Sequence, residues 1–320
     1  MELCWAIPLV FFAGGMTFLF PLTAVFLNLF SRKKTDQIQY GQNFSIDVLI
    51  PAYNEEDVIA VTIESVRKAV ARLSKEMPNV RSKIIVNLDG PKDRTAEIVN
   101  KFADITVLNR GKNLGKWATL EELALRSEAN WSAMIDCGTL WPEDFLVKLI
   151  KNIATDDAIG FGPGYFQEKS GALEKLVWWQ ERVLKKIENL AGGPITLHGA
   201  TMVFRTDILK KCFAVLHGYN WFNDDVVLGL TARKYGKINY LGSSLRISDC
   251  GFKRDAKEYN RRKRMLLGNV QWIKKLFPSL LFGYPAIAAL ALRRIFLVFW
   301  IYCLLGAMFS GVMLLGAPAV

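Results

Sequence analysis

The strongest constraint on this chain is an uncharged apolar run close to its N-terminus. From Leu3 to Leu27 the sequence contains no charged residue and is rich in Leu, Phe and Val. Because about 20 apolar residues in a helix cross the hydrocarbon core of a bilayer, this run predicts a transmembrane helix. The alternative is a cleaved secretory signal. Against it, no basic segment precedes the run, and the run exceeds the roughly 7–15 residues of a signal core.

A second uncharged run, from Ile295 to about Leu315, predicts another span, with a buried core helix as the alternative. The two runs help to explain a hydrophobic fraction of 51%, which is high for a soluble domain. Basic residues flank both runs on the side of the central segment, at positions 32–34 and 293–294. Since basic flanks stay in the cytoplasm, we expect a multi-pass membrane protein with a cytoplasmic central segment, located in a bacterial inner membrane.

The net charge of +11 limits the kind of partner. Many of the basic residues lie between positions 253 and 275, where they would attract anionic lipid head groups. The sequence contains no nucleic-acid-binding motif and no basic–aromatic stripe, so we do not expect nucleic acid as a partner. The five cysteines show no paired spacing, which predicts reduced thiols and neither a zinc site nor a disulfide framework.

Between the two runs, short apolar strand patterns alternate with helical patterns. The strand patterns run from Ile46 to Ile50, from Lys83 to Leu88, from Ile105 to Leu108 and from Ser132 to Ile135, and the helical ones from Glu56 to Arg72, from Thr95 to Phe102 and from Trp117 to Leu125. This alternation predicts an α/β fold with a parallel sheet that is covered on both faces.

The later part of the segment is mixed. It contains helical patterns from Leu173 to Ala191, from Asp225 to Tyr235 and from Lys257 to Phe277, and strand patterns from Met202 to Phe204 and from Ile238 to Leu241. A short apolar stretch from Ser279 to Leu292 is interrupted by Gly283 and Pro285. We expect that stretch to lie in the membrane interface.

Acidic residues follow three of the predicted strands. Glu55 follows the first strand, Asp89 the second and Asp136 the fourth. Because parallel strands bind ligands outside their carboxyl ends, these groups could contact a base or ribose, or hold a divalent cation against a diphosphate. For any single acid the alternative is a turn or a helix cap. A glycine-rich dinucleotide loop and a Walker motif are both absent from the sequence, which disfavours dinucleotide-binding and P-loop enzymes.

These motifs resemble those of family 2 glycosyltransferases, in the membrane-bound branch related to cellulose, chitin and hyaluronan synthases. The resemblance runs from Ile46 to about Leu305. The matching stretches are, in chain order, Ile50 to Glu56, Asp89 to Thr95, Gly115-Lys116, Asp136-Cys137-Gly138 in place of Asp-x-Asp, Gly199 to Arg205, Asn223-Asp224-Asp225, and Arg261 to Gly268 in place of Gln-x-x-Arg-Trp.

The resemblance implies the GT-A fold, a Rossmann-like, mixed but mostly parallel sheet with helices on both faces, flanked by transmembrane helices. The implied organisation is a transmembrane helix at 1–31, a cytoplasmic catalytic domain at 44–255, basic and interfacial helices at 256–292 and a second transmembrane helix at 293–317. The implied activity is inverting transfer of a sugar from a nucleotide-diphosphate donor. A UDP-sugar is the donor expected from the relatives.

The resemblance also implies roles for individual residues. The nucleotide-sugar-binding residues would be Pro51, Ala52, Tyr53, Glu55, Asp89, Lys116, Asp136, Arg261 and Arg264, with Asp136 also binding Mg²⁺ or Mn²⁺. Asp225, with Asp224 beside it, would deprotonate the acceptor hydroxyl, a step that typically contributes about 100- to 10,000-fold to the rate. The alternative for the acidic pair is a helix N-cap, and for the two arginines a solvated or lipid-facing helix.

Two departures from the family pattern bear on function. Gly138 stands where the second acid of Asp-x-Asp is expected, which predicts weaker metal binding. Met265 stands where the processive synthases carry Trp, and Arg261 where they carry Gln, which weakens the case for polymer synthesis. We therefore expect transfer of one sugar, or a few, to a lipid-linked or glycan acceptor at the membrane. A processive polysaccharide synthase and a non-catalytic, nucleotide-sugar-binding subunit of a synthase complex remain as alternatives, and a homo-oligomer is compatible with either.

Overall fold

The computed structural model describes residues 6–29, 44–166, 172–251 and 258–296, with side chains for 17–29, 44–166, 179–251 and 262–296. The strands are β1 (Ser45–Ala52), β2 (Arg81–Leu88), β3 (Thr106–Asn109), β4 (Trp131–Ile135), β5 (Thr139–Leu140), β6 (Gly160–Tyr165), β7 (Thr201–Arg205) and β8 (Ile238–Asp249). The helices are α1 (Ala6–Leu29), α2 (Ile59–Glu76), α3 (Thr95–Val99), α4 (Lys116–Arg126), α5 (Phe145–Thr155), α6 (Ala172–Leu190), α7 (Thr206–Leu216), α8 (Asp224–Ala232), α9 (Glu258–Lys275), α10 (Phe277–Gly283) and α11 (285–296).

The described strands form one mixed sheet in the order β3-β2-β1-β4-β7-β6-β8-β5. Strand β1 lies between β2 and β4 and pairs in parallel with both, and β3 extends this parallel half. In the other half, β7 runs antiparallel to its neighbours β4 and β6. The carboxyl ends of β1, β2 and β4 therefore meet at one edge, where open sheets bind ligands. The predicted mixed, mostly parallel architecture is confirmed.

Hydrophobic residues cover both faces of the sheet, because side chains alternate along each strand. Val48 and Ile50 of β1 belong to one buried cluster with Ile63 of α2. Leu49, between them, belongs to a second cluster with Leu120 of α4. Burial on both faces explains why Val48, Leu49 and Ile50 are consecutive apolar residues rather than an alternation of apolar and polar ones.

Four elements escaped the sequence analysis: β5, α5, β6 and α7. Strand β6 has the sequence GFGPGY, which lacks the β-branched residues typical of strands. The glycines are required by packing, because a Cβ on Gly160 would lie 2.7 Å from the Phe204 ring and one on Gly162 would lie 2.4 Å from Leu197. Strand β8 also continues to Asp249, past the expected end at Leu241.

The segment expected at the membrane interface is partly a core element. In α11, Ile287, Leu290 and Ala291 are buried in the cluster that also contains Trp272 of α9. The apolar side chains of α11 therefore pack against the protein, and a position of this helix at the membrane interface stays a prediction. By contrast, Phe282 of α10 is 93% exposed.

The first predicted span coincides with α1, which contacts α6 through a hydrogen bond from Asn28 Nδ2 to the Leu190 carbonyl at 3.4 Å. In the part of the chain that the structure describes, no helix combines the length and the apolar character needed to cross a membrane. The second predicted span lies almost wholly beyond residue 296, outside the described residues.

Candidate active site

The loop after β1 is bonded to the loop after β2. Asn54, held at φ 50°, accepts a hydrogen bond from the Lys92 backbone N–H at 2.8 Å, and the Glu55 backbone N–H donates to Thr95 Oγ1 at 2.7 Å. Tyr53 is exposed between these contacts, whereas Ala52 is buried. The two predicted nucleotide-binding motifs are thus fixed side by side at the carboxyl edge of the sheet.

The third strand-end motif joins the same edge. The Cys137 thiol donates to the Pro51 carbonyl at 3.3 Å, so the Asp136-Cys137-Gly138 stretch lies against the end of β1. The backbone N–H of Asp136 donates to the Ala200 carbonyl at 3.0 Å, which brings in the stretch expected near the acceptor. Four motifs that are far apart in sequence therefore share one site.

Asp89 has a structural role that sequence reasoning missed. Its side-chain oxygens accept hydrogen bonds from the backbone N–H groups of Leu114 and Gly115, each at 2.8 Å, and the residue is only 2% exposed. These bonds fix the loop that leads into α4, where Gly115 takes a φ of 91° that favours glycine. Asp89 thereby positions Lys116, and its contact with the base edge stays a prediction.

Lys116 links the donor-side and acceptor-side acids. Its Nζ lies 2.9 Å from Asp136 Oδ2 and 3.0 Å from Asp224 Oδ2. Burial opposes protonation of Lys116, but the attraction of the two carboxylates is stronger, so the pKa of Lys116 is raised. Burial raises the pKa of Asp136, while Lys116 and Arg264 act in the opposite direction. The Lys116 ammonium therefore neutralises part of the negative charge of Asp136 and Asp224. Without it, the two carboxylates would repel each other.

Asp225, the predicted base, lies beside Asp224 at the start of α8. A Cβ placed on Gly199 would lie 3.6 Å from Asp225 Cβ, so the predicted acceptor stretch passes directly over this residue. Burial raises the pKa of Asp225, and the Arg294 guanidinium opposes that rise. The N-cap of α8 is Asn223, without a side-chain capping hydrogen bond, so the two acids are not the cap but lie in the first turn, where the helix dipole stabilises them.

Helix α9 is fixed to the residue that precedes the acidic pair. Asn223 Nδ2 donates to the Met265 carbonyl and to Asn269 Oδ1, both at 3.0 Å. A Cβ on Gly268 would lie 2.4 Å from Asn223 Oδ1, so a side chain at this position would displace the Asn223 amide. Arg264, on the same helix, consequently lies near enough to Asp136 to lower the pKa of its carboxyl group, against the effect of burial. The side chain of Arg261 lies outside the described residues.

The family comparison agrees with this geometry. Residues 47–213, more than half of the chain, match the family model described as Glycosyl transferase family 2. The chain belongs to glycosyl transferase family 2. The protein is accordingly a glycosyltransferase, and the non-catalytic alternative is not retained. The narrower relation to the cellulose, chitin and hyaluronan synthases stays a prediction.

Several curated relatives of this glycosyltransferase share one description. Dolichyl-phosphate beta-glucosyltransferase ALG5D of Trichomonas vaginalis is 26% identical over 227 residues, which cover 63% of this chain and 68% of the relative. ALG5A of the same organism is 29% identical over 223 residues, with the same coverage. The dolichyl-phosphate beta-glucosyltransferase of Dictyostelium discoideum is 28% identical and covers 60% of this chain and 63% of its own length.

Two solved structures show the same fold. The mannosyltransferase PcManGT of Pyrobaculum calidifontis, in complex with GDP-Man and Mn²⁺, has a TM-score of 0.67 at 18% identity and covers 98% of this chain and 87% of its own. TarS 1–349 of S. aureus, in complex with UDP-GlcNAc, has a TM-score of 0.55 at 16% identity, with coverages of 79% and 73%. At these identities the likeness establishes the GT-A fold alone.

A divalent cation would have few protein ligands in this glycosyltransferase. Among the described residues, no three His, Cys, Asp or Glu side chains are grouped as metal ligands. Gly138 supplies no carboxylate, and Asp136 Oδ2 already faces Lys116. Mg²⁺ commonly keeps several waters and binds through one or two carboxylates plus phosphates. The residues therefore fit a cation only in combination with the diphosphate of a bound donor.

Sequence reasoning also missed two basic residues that act on Asp225. Arg294 comes from α11, and Lys185 comes from α6. Neither lies in a motif, and each is far from Asp225 along the chain. No local pattern could have assigned them, because their position depends on how α6 and α11 pack.

Proposed function

We propose that this enzyme transfers a hexose from a nucleotide-diphosphate sugar, with a UDP-sugar as the expected donor, to a lipid-phosphate acceptor on the cytoplasmic side of a membrane. The observation that carries the proposal is the Lys116 bridge between Asp136 and Asp224 at the carboxyl edge of the sheet. The dolichyl-phosphate glucosyltransferases among the relatives support the acceptor class.

The donor half of the reaction needs positive charge at the leaving diphosphate. The Lys116 ammonium and the Arg264 guanidinium lie on the Asp136 side of the site and can donate charge-assisted hydrogen bonds to phosphate oxygens. Mg²⁺ or Mn²⁺ held between Asp136 and the diphosphate would add positive charge to the same leaving group. As the bond between the anomeric carbon and the diphosphate oxygen breaks, these groups would stabilise the developing negative charge.

The acceptor half depends on what attacks the anomeric carbon. A phosphate monoester has a second pKa of about 6, so it is mostly a dianion near neutral pH and can attack without a base. Its oxygen forms the new bond to the anomeric carbon from the face opposite the leaving diphosphate. In that case Asp225 would orient the acceptor and take up a proton only from the monoanionic form.

A hydroxyl acceptor on a glycan or a lipid-linked sugar is the second candidate. Asp225 favours it, because its carboxyl group lies under the predicted acceptor stretch at Gly199. A hydroxyl must lose its proton during attack, and a carboxylate whose pKa is raised by burial is a better base. The lipid-phosphate acceptor and the hydroxyl acceptor therefore differ in how strongly the rate of turnover depends on Asp225.

The membrane location is supported by exposed apolar residues. Leu22 and Phe26 of α1 are 57% and 60% exposed, and Phe282 of α10 is almost fully exposed. Large exposed apolar side chains of this kind are suited to contact with lipid or protein. The basic residues of α9 would add attraction to anionic lipid. We propose that these helices hold the catalytic domain at the bilayer, where a lipid acceptor is presented.

A donor and acceptor screen tests the proposal. Detergent-solubilised protein is incubated with UDP- or GDP-sugars and farnesyl phosphate, with Mg²⁺, Mn²⁺ or a chelator, and released nucleoside diphosphate and sugar-labelled lipid are measured. We expect metal-stimulated release that requires the lipid phosphate and is lost in Asp136→Ala. The exposed Asp157→Ala is the matched control and should keep full activity. Equal activity of wild type and Asp136→Ala would refute the assignment of the site.

A further inference from the structure

The loop that precedes β7 connects three parts of the site. The Ala200 carbonyl accepts the backbone N–H of Asp136 at 3.0 Å, and Gly199 lies against Asp225. Further back along the loop, Thr196 Oγ1 accepts a hydrogen bond from Arg294 Nη1 at 3.4 Å. The loop therefore contacts the donor-side acid Asp136 through Ala200 and the predicted base Asp225 through Gly199. Its Thr196 contacts Arg294. Arg294 occupies the end of this path that is remote from the nucleotide motifs.

The two arginines of α11 differ in how their charge is compensated. Arg293 is 5% exposed, and its Nη2 lies 3.0 Å from Glu188 Oε1, so it belongs to a buried ion pair. The hydrogen-bond partner of Arg294 is the neutral Thr196 hydroxyl. The buried Nε of Arg294, like that of Arg293, meets no acceptor within the described residues, so the two arginines differ in the partner that each guanidinium does have. A guanidinium with unused donors is the group that proteins use for planar, bidentate recognition of phosphate and carboxylate.

A second cation, Lys185, lies on α6, and its Nζ is 5.2 Å from the centroid of the Tyr240 ring. Arg293 of α11 contacts Glu181 and Glu188 on the same helix, at 3.7 and 3.0 Å, so α6 and α11 are joined beside Lys185.

Burial lowers the pKa of Lys185 on α6, while Glu181, Glu188 and Asp225 raise it, so the ammonium lies among these acids and near Arg294. A phosphate dianion brought next to Asp225 would be repelled by that carboxylate unless cations lay on the acceptor side. Arg294 and Lys185 come from two helices that converge on the predicted base, and they supply that charge.

We propose that Arg294, assisted by Lys185, binds the phosphate of the acceptor beside Asp225. This inference rests on the proposed lipid-phosphate acceptor and names the residues that would select it over an uncharged lipid alcohol. Arg294 immediately precedes the apolar run from Ile295 to about Leu315 that the sequence predicts to span a membrane. A phosphate bound there would lie at the level of the head groups, with its lipid tail directed towards the bilayer.

Steady-state kinetics with farnesyl phosphate test the inference in Arg294→Met, Arg294→Lys and the control Lys186→Met, whose exposed lysine adjoins Lys185. We expect Arg294→Met to raise the acceptor KM about 10- to 100-fold, the factor given by loss of one charge-assisted hydrogen bond. The Kd of the nucleoside diphosphate should stay within about twofold, because only the acceptor contact is lost. Arg294→Lys should recover part of the affinity, and Lys186→Met should match wild type.

A measurement on wild-type protein covers the case in which Arg294→Met also disturbs folding. Arginine modification by phenylglyoxal is followed at Arg294 by mass spectrometry, with farnesyl phosphate, farnesol or no addition. Protection by farnesyl phosphate and none by farnesol supports the inference, and equal modification in all three conditions overturns it. If wild type transfers sugar only to hydroxyl acceptors, the proposed acceptor class itself is wrong. If wild type uses farnesyl phosphate and Arg294→Met has an unchanged KM, only the role of Arg294 is refuted.

Discussion

Replacing Lys116 by Met tests the charge bridge on which the site is built. The substitution keeps the length of the side chain but leaves Asp136 and Asp224 without the ammonium that lies 2.9 and 3.0 Å from them. At 3 Å and an effective dielectric constant of about 20, Coulomb's law gives roughly 5 kcal/mol for each pair before desolvation.

Solvent reduces that figure. The side chains of Lys116 and Asp136 are 33% and 36% exposed, whereas that of Asp224 is 12% exposed. Breaking a fully buried pair costs about 3–5 kcal/mol, and an exposed pair is worth less than about 1 kcal/mol. We therefore expect Lys116→Met to lower the free energy of unfolding by about 2–3 kcal/mol at neutral pH.

The decrease in the free energy of unfolding caused by Lys116→Met should change with pH in a predictable direction. The pKa of Lys116 is raised, so in wild type the ammonium stays charged throughout the acid and neutral range, and its contribution to stability decreases only where Asp136 takes up a proton. In the variant, the Asp136 carboxylate lacks its cationic partner, so burial, which already raises its pKa in wild type, is less opposed. Protonation of Asp136 at low pH relieves its repulsion with Asp224. The decrease in the free energy of unfolding caused by Lys116→Met should therefore be largest above neutral pH and should become smaller towards pH 4.

The assay is urea unfolding of wild type, Lys116→Met and the control Lys112→Met in detergent, at several pH values and with m-values compared. Lys112 is exposed in the loop that leads to α4, so its replacement should leave the unfolding midpoint nearly unchanged. The reasoning would be refuted if Lys116→Met lowered the free energy of unfolding no more than Lys112→Met does. It would also be refuted if the effect of Lys116→Met became larger at lower pH.

Two further substitutions test other parts of the site. Asp225→Asn should lower kcat for a hydroxyl acceptor by about 100- to 10,000-fold, and wild-type kcat for that acceptor should rise with pH as the carboxyl, whose pKa is raised by burial, ionises. The same variant should keep kcat for farnesyl phosphate within about tenfold, because the dianion needs no base, so comparing the two acceptors decides between the candidates. Gly138→Asp should destabilise the protein by about 1–3 kcal/mol, since φ at this position is 89°, and should not tighten Mn²⁺ binding measured by electron paramagnetic resonance. Unchanged stability together with tighter Mn²⁺ binding would contradict this reasoning.

The parallel half of the sheet could be predicted because its strands are apolar runs that end at polar residues. Strand β1 ends at Ala52 and β2 at Leu88, directly before Asp89, close to the expected positions. Strand β6 could not be predicted, because its glycines reflect close contacts with Phe204 and Leu197 rather than a local preference. Such contacts exist only once β7 and the loop before it are in place.

The motifs that meet at this edge of the sheet could be identified from the sequence, but their connections could not. The motifs identified Lys116, Asp136 and Asp224 separately, and the structure shows that one ammonium joins the two carboxylates. Asp89 was expected to face a ligand, but its oxygens are used by the backbone of residues 114–115. Both findings depend on loops from different strands meeting at one edge, which spacing along a single chain segment does not encode.

The attachment of α9 to Asn223 has a mechanical consequence. Helix α9 cannot slide along or lift from α8 without breaking two hydrogen bonds to the side chain that immediately precedes Asp224 and Asp225. Any displacement that a lipid surface imposes on this basic helix is therefore delivered to the carboxylates and to Arg264 at the same time. Seating on the bilayer and alignment of the reacting groups would then be one event rather than two.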